Sequence, residues 1–397
     1  MKTANAWSTS ANIEEAVQSA YTKLKNTLGG TPDWLALHAS VKYDPSILMK
    51  TLREVAQDVP VHGGTSCLGV MTQEGFHSEG GTGLGLFGLK DDEGKYGIGT
   101  VESASNPRDG GATAARKALA AAGNPDTSPA LIWLTCAPGH EEDILRGIQD
   151  TVGEHVPIVG GSSADNTIEG HWKQFAEGCV YSDGIVVTAM FPSTPVHSYF
   201  WSGYFDTEHR GIVTEASGRV IQTIDRRPAA EVYNEWTGGA IVNSLKGGNV
   251  LGDTTLYPLG RPVQKVGGIT SYRLSHPESV TQDGGLRLFT DIQEDDEIVL
   301  MTGSPLDLIV RSGVVAKYAL KRGAITPDQV AGSLIIFCAG CMLTVQDKMD
   351  DVVAHLRNAL GNKHFLGIFT FGEQGCFMNG VNYHGNLMMS VLIFERD

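Results

Sequence analysis

The sequence predicts a mixed α/β protein in which α-β-α-β-β units repeat across two pseudo-related domains. Three observations predict it: two strand-helix-strand segments with identical internal spacing, a looser third copy near the C-terminus, and 49 glycines in 397 residues, with Gly-Gly pairs at matched strand ends. Self-similarity at a fixed spacing is a stronger fold signal than any local propensity. The glycine content lacks a Gly-X-Y period, and 41% of the residues are hydrophobic, which excludes collagen and disorder.

Residues 1–29 are read as an N-terminal helical segment, because Ile13, Val17, Tyr21, Leu24 and Leu28 recur at helical spacing. Trp34-Leu-Ala-Leu-His-Ala-Ser40 follows as a buried strand, then a helix over Pro45–Asp58, then Val59-Pro-Val-His-Gly-Gly-Thr-Ser66. The second copy starts with an alanine-rich helix over Gly111–Ala122. It continues through Leu131-Ile-Trp-Leu-Thr-Cys-Ala137, a helix over Glu141–Glu154 and Val156-Pro-Ile-Val-Gly-Gly-Ser-Ser163. Ala39 to Gly63 and Cys136 to Gly160 both span 24 residues. The third copy comprises a helix over Pro305–Lys321, the strand Leu334-Ile-Ile-Phe-Cys-Ala339, a helix over Val345–Leu360 and Phe365-Leu-Gly-Ile-Phe-Thr-Phe-Gly-Glu373, with one glycine kept. Each copy ends in another apolar run, Leu84–Leu89, Gly184–Phe191 and Leu387–Phe394, which reads as a strand. Residues 203–300, with strands at Val263–Thr270, Leu286–Asp291 and Glu297–Met301 and a helix near Ala229–Trp236, read as a degenerate fourth copy. Helices between strands imply parallel crossovers, and the runs after each Gly-Gly imply antiparallel neighbours. A boundary in the polar segment 203–227 divides the chain into 1–29, 30–225 and 226–397.

Thirty Lys and Arg against 45 Asp and Glu give a net charge of −15 with no basic block, so nucleic acid is not an expected partner. No apolar run is long enough for a signal peptide or a membrane span. Six cysteines are sparse for this length and read as reduced thiols in the cytoplasm.

Glycine pairs at strand ends allow close backbone approach, and Thr65, Ser66, Ser162 and Ser163 add hydroxyls beside Gly63, Gly64, Gly160 and Gly161. That chemistry suits a small anion, or else simply makes room for packing between repeats. Gly83-Leu-Gly-Leu-Phe-Gly88 matches a dinucleotide fingerprint in letters but falls inside a strand, and no Walker A, HExxH or GxSxG motif is present. Cys338-Ala-Gly-Cys341 is a single CxxC, read first as a structural turn and second as a redox or metal pair. Cys67, with His38 or His62 as base, supplies an alternative: a thiol-dependent hydrolase or transferase. The segment Phe371–Asn386 concentrates Glu373, Gln374, Asn379, Asn382, His384 and Asn386 between two apolar strands and reads as a binding loop.

His62-Gly-Gly-Thr-Ser-Cys67, Gly160-Gly-Ser-Ser163, Arg227-Pro-Ala-Ala-Glu-Val-Tyr233, Cys338-Ala-Gly340 and Gly372-Glu373 with Asn386 together resemble the FIST family over nearly the whole chain. The resemblance implies a FIST N-terminal domain at 30–225, a C-terminal domain at 226–397 and a sensory rather than enzymatic protein. It implies a small-molecule ligand, an amino acid or, in a nitric-oxide-sensing subset, haem. Its output would pass to a signalling partner such as a histidine kinase or diguanylate cyclase. Gly63, Gly64, Ser66, Gly160, Gly161, Ser162, Cys338, Glu373 and Asn386 are carried over as pocket residues. A haem would need an axial ligand, for which His38 and His384 are the best placed. One departure stands out: where relatives carry arginine after Cys-Ala-Gly, this chain has Cys341.

Overall fold

Strand Trp34–Ala39 is buried at every residue and runs parallel to Val61–Thr65, joined to it by helix Pro45–Ala56. Leu131–Cys136 and Ile158–Ser162 repeat this crossover, and Val330–Cys338 and His364–Thr370 do so again. The structure is a computed structural model that describes residues 1–266 and 268–396. Gly267, which falls within the strand expected at Val263–Thr270, and Asp397 lie outside the described residues.

Each copy builds a six-stranded sheet with the same order. In the first, Lys2–Ser8 pairs with Leu84–Lys90, which pairs with Trp34–Ala39, which pairs with Val61–Thr65. The last two strands of each sheet come from another copy. The hairpin Val70–His77 of the first copy adds to His364–Thr370, the hairpin Gln174–Tyr181 of the second adds to Val61–Thr65, and the hairpin Gly372–Gly385 of the third adds to Ile158–Ser162. The three repeats thus exchange hairpins in a closed cycle.

Both faces of these strands are covered, which explains their continuous apolar runs. Leu35, Leu37, Leu84 and Leu86 pack outward against helices Ile13–Leu28 and Pro45–Ala56. Trp34, Trp133, Leu334, Phe87 and Phe394, from all three sheets, meet in one inner core. The helices start where local chemistry permits. Asn12 accepts from Glu15 N, Asp44 caps a helix opening with Pro45, and Ser304 forms a capping box with Asp307 ahead of Pro305–Gly323.

The mixed α/β class and the two-domain layout stand as read, with several local corrections. A strand, Lys2–Ser8, precedes the first helix and forms the edge of the first sheet. The alanine-rich helix begins earlier, at Pro107, capped by Asn106. With Cys338 aligned to Ala39 and Cys136, the strand pairing puts Ile368, not Gly367, level with Gly63 and Gly160. Residues 203–300 are not a fourth copy. Among the described residues their strands pair only antiparallel, in a nine-stranded sheet built from the chain between Phe205 and Thr302 and inserted between strand Val196–Trp201 and helix Pro305–Gly323 of the third repeat. The run expected at Val263–Thr270 is a hairpin, Leu259–Val266 with Ile269–Ser275.

Candidate ligand-binding site

The carboxyl ends of the three crossover strands converge, and the backbone itself closes the ring. Ala164 N donates to Thr65 O at 3.0 Å, Phe371 N to Ser162 O at 3.2 Å and Cys67 N to Phe369 O at 3.1 Å. The glycine pairs lie inside this closure. A Cβ on Gly63 would strike the carbonyl of Leu37, one on Gly160 that of Leu134, one on Gly64 the Ser163 hydroxyl and one on Gly161 the Thr370 side chain. Their role is close packing between strands and repeats. The hydroxyls are equally occupied. Ser66 Oγ donates to Gly69 O at 2.6 Å and accepts from Phe369 N, Thr65 Oγ1 accepts from Lys173 N, and Ser162 Oγ donates to Glu141 Oε1. Of the four glycine-loop hydroxyls, Ser163 Oγ alone is buried without a hydrogen-bond partner.

The open space lies one layer further out, in a cavity of about 300 Å³ between the strand ends of the third repeat and the inserted sheet. Cys338, Thr370, Phe371 and Asn386 form its floor, Gly340 and Leu343 of the short helix Ala339–Thr344 one wall, and Leu251, His276 and Phe289 of the insert the roof, with Ile168 of the second repeat at the side. The lining is mostly apolar with a few convergent polar atoms, the usual make-up of a small-molecule site. Ligands in α/β sheets also gather beyond the carboxyl ends of strands. Asn386 Oδ1 accepts from His276 N at 3.2 Å, tying the insert to the terminal loop. Burial holds the His276 ring down to about 4, so it presents a neutral imidazole. Of the residues picked from sequence, Cys338 and Asn386 line this cavity.

Glu373 sits just beneath it, accepting from Thr370 Oγ1 and Met388 N, both at 2.9 Å. Burial pushes its carboxyl well above the ordinary range, and the neighbouring Cys341 adds to the rise. Arg311, on helix Pro305–Gly323, reaches under the same floor. Its Nη1 donates to Ser202 O and Leu387 O, and its guanidinium lies 4.8 Å from the Phe337 ring centroid. Burial opposes a Cys341 thiolate, but the Cys338 thiol, the Arg311 charge and the Tyr204 hydroxyl outweigh it and bring Cys341 down to about 6. A guanidinium from another helix thus stands beside Cys341. Sequence spacing gives no hint of Arg311 or His276, because each belongs to a segment distant from the motifs.

The remaining expectations fall elsewhere. Cys67 is buried, and desolvation with the nearby Asp165 pushes its thiol up to about 12. His62 is spent on Thr188 Oγ1 at 2.8 Å and Thr135 Oγ1 at 2.9 Å. Both facts oppose a thiolate nucleophile. His38 is sealed within the first sheet against Gly64 O. His384 lines a smaller polar cavity together with Glu142, Arg146 and Asp296. Neither histidine faces an apolar space of porphyrin size, and the 300 Å³ cavity beside His276 is too small for one, so these residues do not fit haem. Glu141, Glu142 and His384 bring ligand atoms within 4.8 Å of one another, but Arg219 Nη2 donates to both carboxylates at 2.8 and 2.9 Å, so a guanidinium already fills the place of a cation.

The FIST N domain profile matches residues 33–227 and the FIST C domain profile residues 229–376. The chain belongs to the FIST family. FIST domains are associated with sensing in signal transduction. No curated protein matches the sequence. Among solved structures, cyanuric acid hydrolase from A. caulinodans is similar at 11% identity and a TM-score of 0.40, over 100% of this chain and 99% of that one, a likeness too weak to carry an argument. In this FIST protein the N domain holds the first two crossover strand pairs and the opening strands of the insert, Phe205–Ser217 and Val220–Ile224, and the C domain holds the insert from Ala229 onward and the third crossover pair. The 300 Å³ cavity takes Ile168 from the N domain, Asn386 from beyond the matched segments and its other lining residues from the C domain. Among the described residues no helix is long and apolar enough to cross a membrane.

Proposed function

We propose that this FIST protein is a non-enzymatic sensor whose ligand is a small, largely apolar molecule held between the inserted sheet and the strand ends of the third repeat. The observation that carries the reading is the 300 Å³ cavity roofed by one sheet and floored by another. A ligand there would contact both layers at once. A conformational equilibrium between the layers would then be biased by the difference in ligand affinity between its two states. Asn386 Oδ1 and Thr370 Oγ1, each already in one hydrogen bond, keep lone pairs through which they would orient the ligand, beside the neutral His276 ring. The output would pass to a separate signalling protein, of the histidine kinase or diguanylate cyclase kind, in the cytoplasm. Haem has no part in this reading.

A thermal-shift panel of small molecules, with haemin as a separate arm, tests it. A ligand at a hundred times its Kd adds about 2.7 kcal/mol of stability, and haemin is expected to give no sharp Soret band. Saturable stabilisation that is reduced in Gly340→Ala, which narrows the cavity, supports the reading. Absence of any saturable shift, or a shift untouched by that substitution, defeats it.

A further inference from the structure

A second cavity, of about 230 Å³, lies where helix Glu141–Val152, the inserted sheet and strand Asn382–Gly385 of the exchanged hairpin meet. Three arginines line it: Arg146, Arg261 and Arg273. Two of them have carboxylate partners. Arg146 lies 3.3 Å from Asp143 and 3.6 Å from Asp291, and Arg261 donates to Asp296 at 3.2 Å and to the Ser275 and Thr290 hydroxyls. Glu142 on the same wall is taken by Arg219. Arg273 has neither a hydrogen bond nor an ion pair among the described residues. Its guanidinium lies 5.5 Å from the Tyr383 ring centroid, and its Nε is sealed from solvent with no acceptor.

Two more donors in the wall share this condition. Arg261 Nε and His384 Nε2 are buried without a hydrogen-bond partner, and the nearest carboxylate oxygen to His384 Nε2, on Glu141, is 3.9 Å away. Arg261 and His384 are themselves 5% and 1% exposed. Buried donors are nearly always satisfied, and leaving one unmet is costly. Burial and the Arg273 charge together hold Arg261 down to about 10, a strain that a negative charge in the cavity would relieve.

We infer that this cavity binds a small oxyanion, a carboxylate or phosphate group, with Arg273 as its principal partner and Arg261 and His384 completing the cradle. The planar guanidinium fork matches both anions. Glu142, Asp291 and Asp296 on the same wall exclude a larger polyanion. Arg261 and Arg273 stand on the hairpin Leu259–Ser275 of the insert, and His384 on the exchanged hairpin. A bound anion would therefore pin the insert to the body at a second point, independent of the apolar cavity.

Calorimetric titration of the whole protein with inorganic phosphate and, separately, with acetate in a low-salt zwitterionic buffer tests the inference and distinguishes the two anions. Saturable binding of at least one is expected, weakened about tenfold or more in Arg273→Gln and unchanged in the exposed control Arg226→Gln. Ligand-free Arg273→Gln is expected to be as stable as the parent or more so, since it removes an unpaired, half-buried charge. Failure of both anions to bind, or undiminished binding by Arg273→Gln, would overturn the inference. Should Arg273→Gln not fold, Arg273→Lys decides: several-fold weaker binding supports the site, and parental affinity refutes it.

Discussion

Asn382 grips the backbone at Ile158 as a strand would, its Oδ1 accepting from Ile158 N at 2.8 Å while its Nδ2 donates to Val156 O at 2.9 Å. One side chain thereby joins the hairpin of the third repeat to the sheet of the second. Asn382→Ala strands a buried donor and a buried acceptor and is expected to cost about 1–3 kcal/mol. Urea denaturation should show a lower midpoint at an unchanged slope. A midpoint within error of the parent would mean that the strand pairing alone holds the hairpin.

Stability should fall on acidification. Burial holds His38 at about 3, His77 and His276 at about 4, and His62 well below 6.5. In each case the folded value lies below the unfolded one, so stability is complete above pH 6.5. Below it the unfolded chain takes up protons that the folded one refuses. Each ring then costs up to about 1.4 kcal/mol per pH unit until its folded value is reached. Denaturation midpoints are expected to be level above pH 7 and to drop steeply between pH 6 and 4. His62→Gln, which keeps a donor and an acceptor for Thr135 and Thr188, should lessen that slope by one ring's share; an identical slope in the variant would count against the assignment.

Glycines separate into two kinds by substitution. Gly63→Ala and Gly160→Ala drive a Cβ into a neighbouring backbone carbonyl and are expected to abolish soluble folding. The nearest atoms to the methyl of Gly340→Ala belong to Leu387, Cys338 and His276 at 3.6–3.8 Å, an ordinary contact distance. In a helix the added methyl is worth up to about 1 kcal/mol. Thermal melts should show Gly340→Ala as stable as the parent or slightly more stable, while ligand response is reduced. Normal expression of Gly63→Ala would sink the packing account of the glycine pairs.

Alkylation of the native protein with iodoacetamide near neutral pH should give one rapid adduct, at Cys179, the exposed one of the six thiols. Cys341 is lowered to about 6 yet has no surface exposure, and Cys67 is both buried and raised to about 12. Peptide mapping by mass spectrometry reads the order of labelling. A fast Cys67 adduct would restore the thiol-enzyme alternative.

The repeat was legible because both faces of its strands are buried, so Trp34–Ala39 and Leu131–Cys136 carry unbroken apolar runs at matched intervals. The insert was not, because its strands are largely exposed, as in Phe205–Ser217, and their hydrophobic pattern is correspondingly weak. The site was legible only in part. Cys338 and Asn386 belong to repeat segments and were found; His276, Phe289 and Leu251 come from the insert, and Arg311 acts through space from an otherwise ordinary amphipathic helix. The Gly-Gly loops drew attention because glycine marks close approach in the sequence, but what approaches is the protein's own backbone.

The cyclic exchange of hairpins also sets the order in which the molecule is completed during synthesis. Val70–His77 leaves the ribosome early, yet its partner strand His364–Thr370 is among the last to emerge. Until then the first repeat carries an unpaired hairpin whose exposed edge is an invitation to pair with a neighbouring nascent chain. The same arrangement that binds the three sheets into one body makes the newborn protein dependent on whatever shields that hairpin for the roughly 290 residues of translation in between.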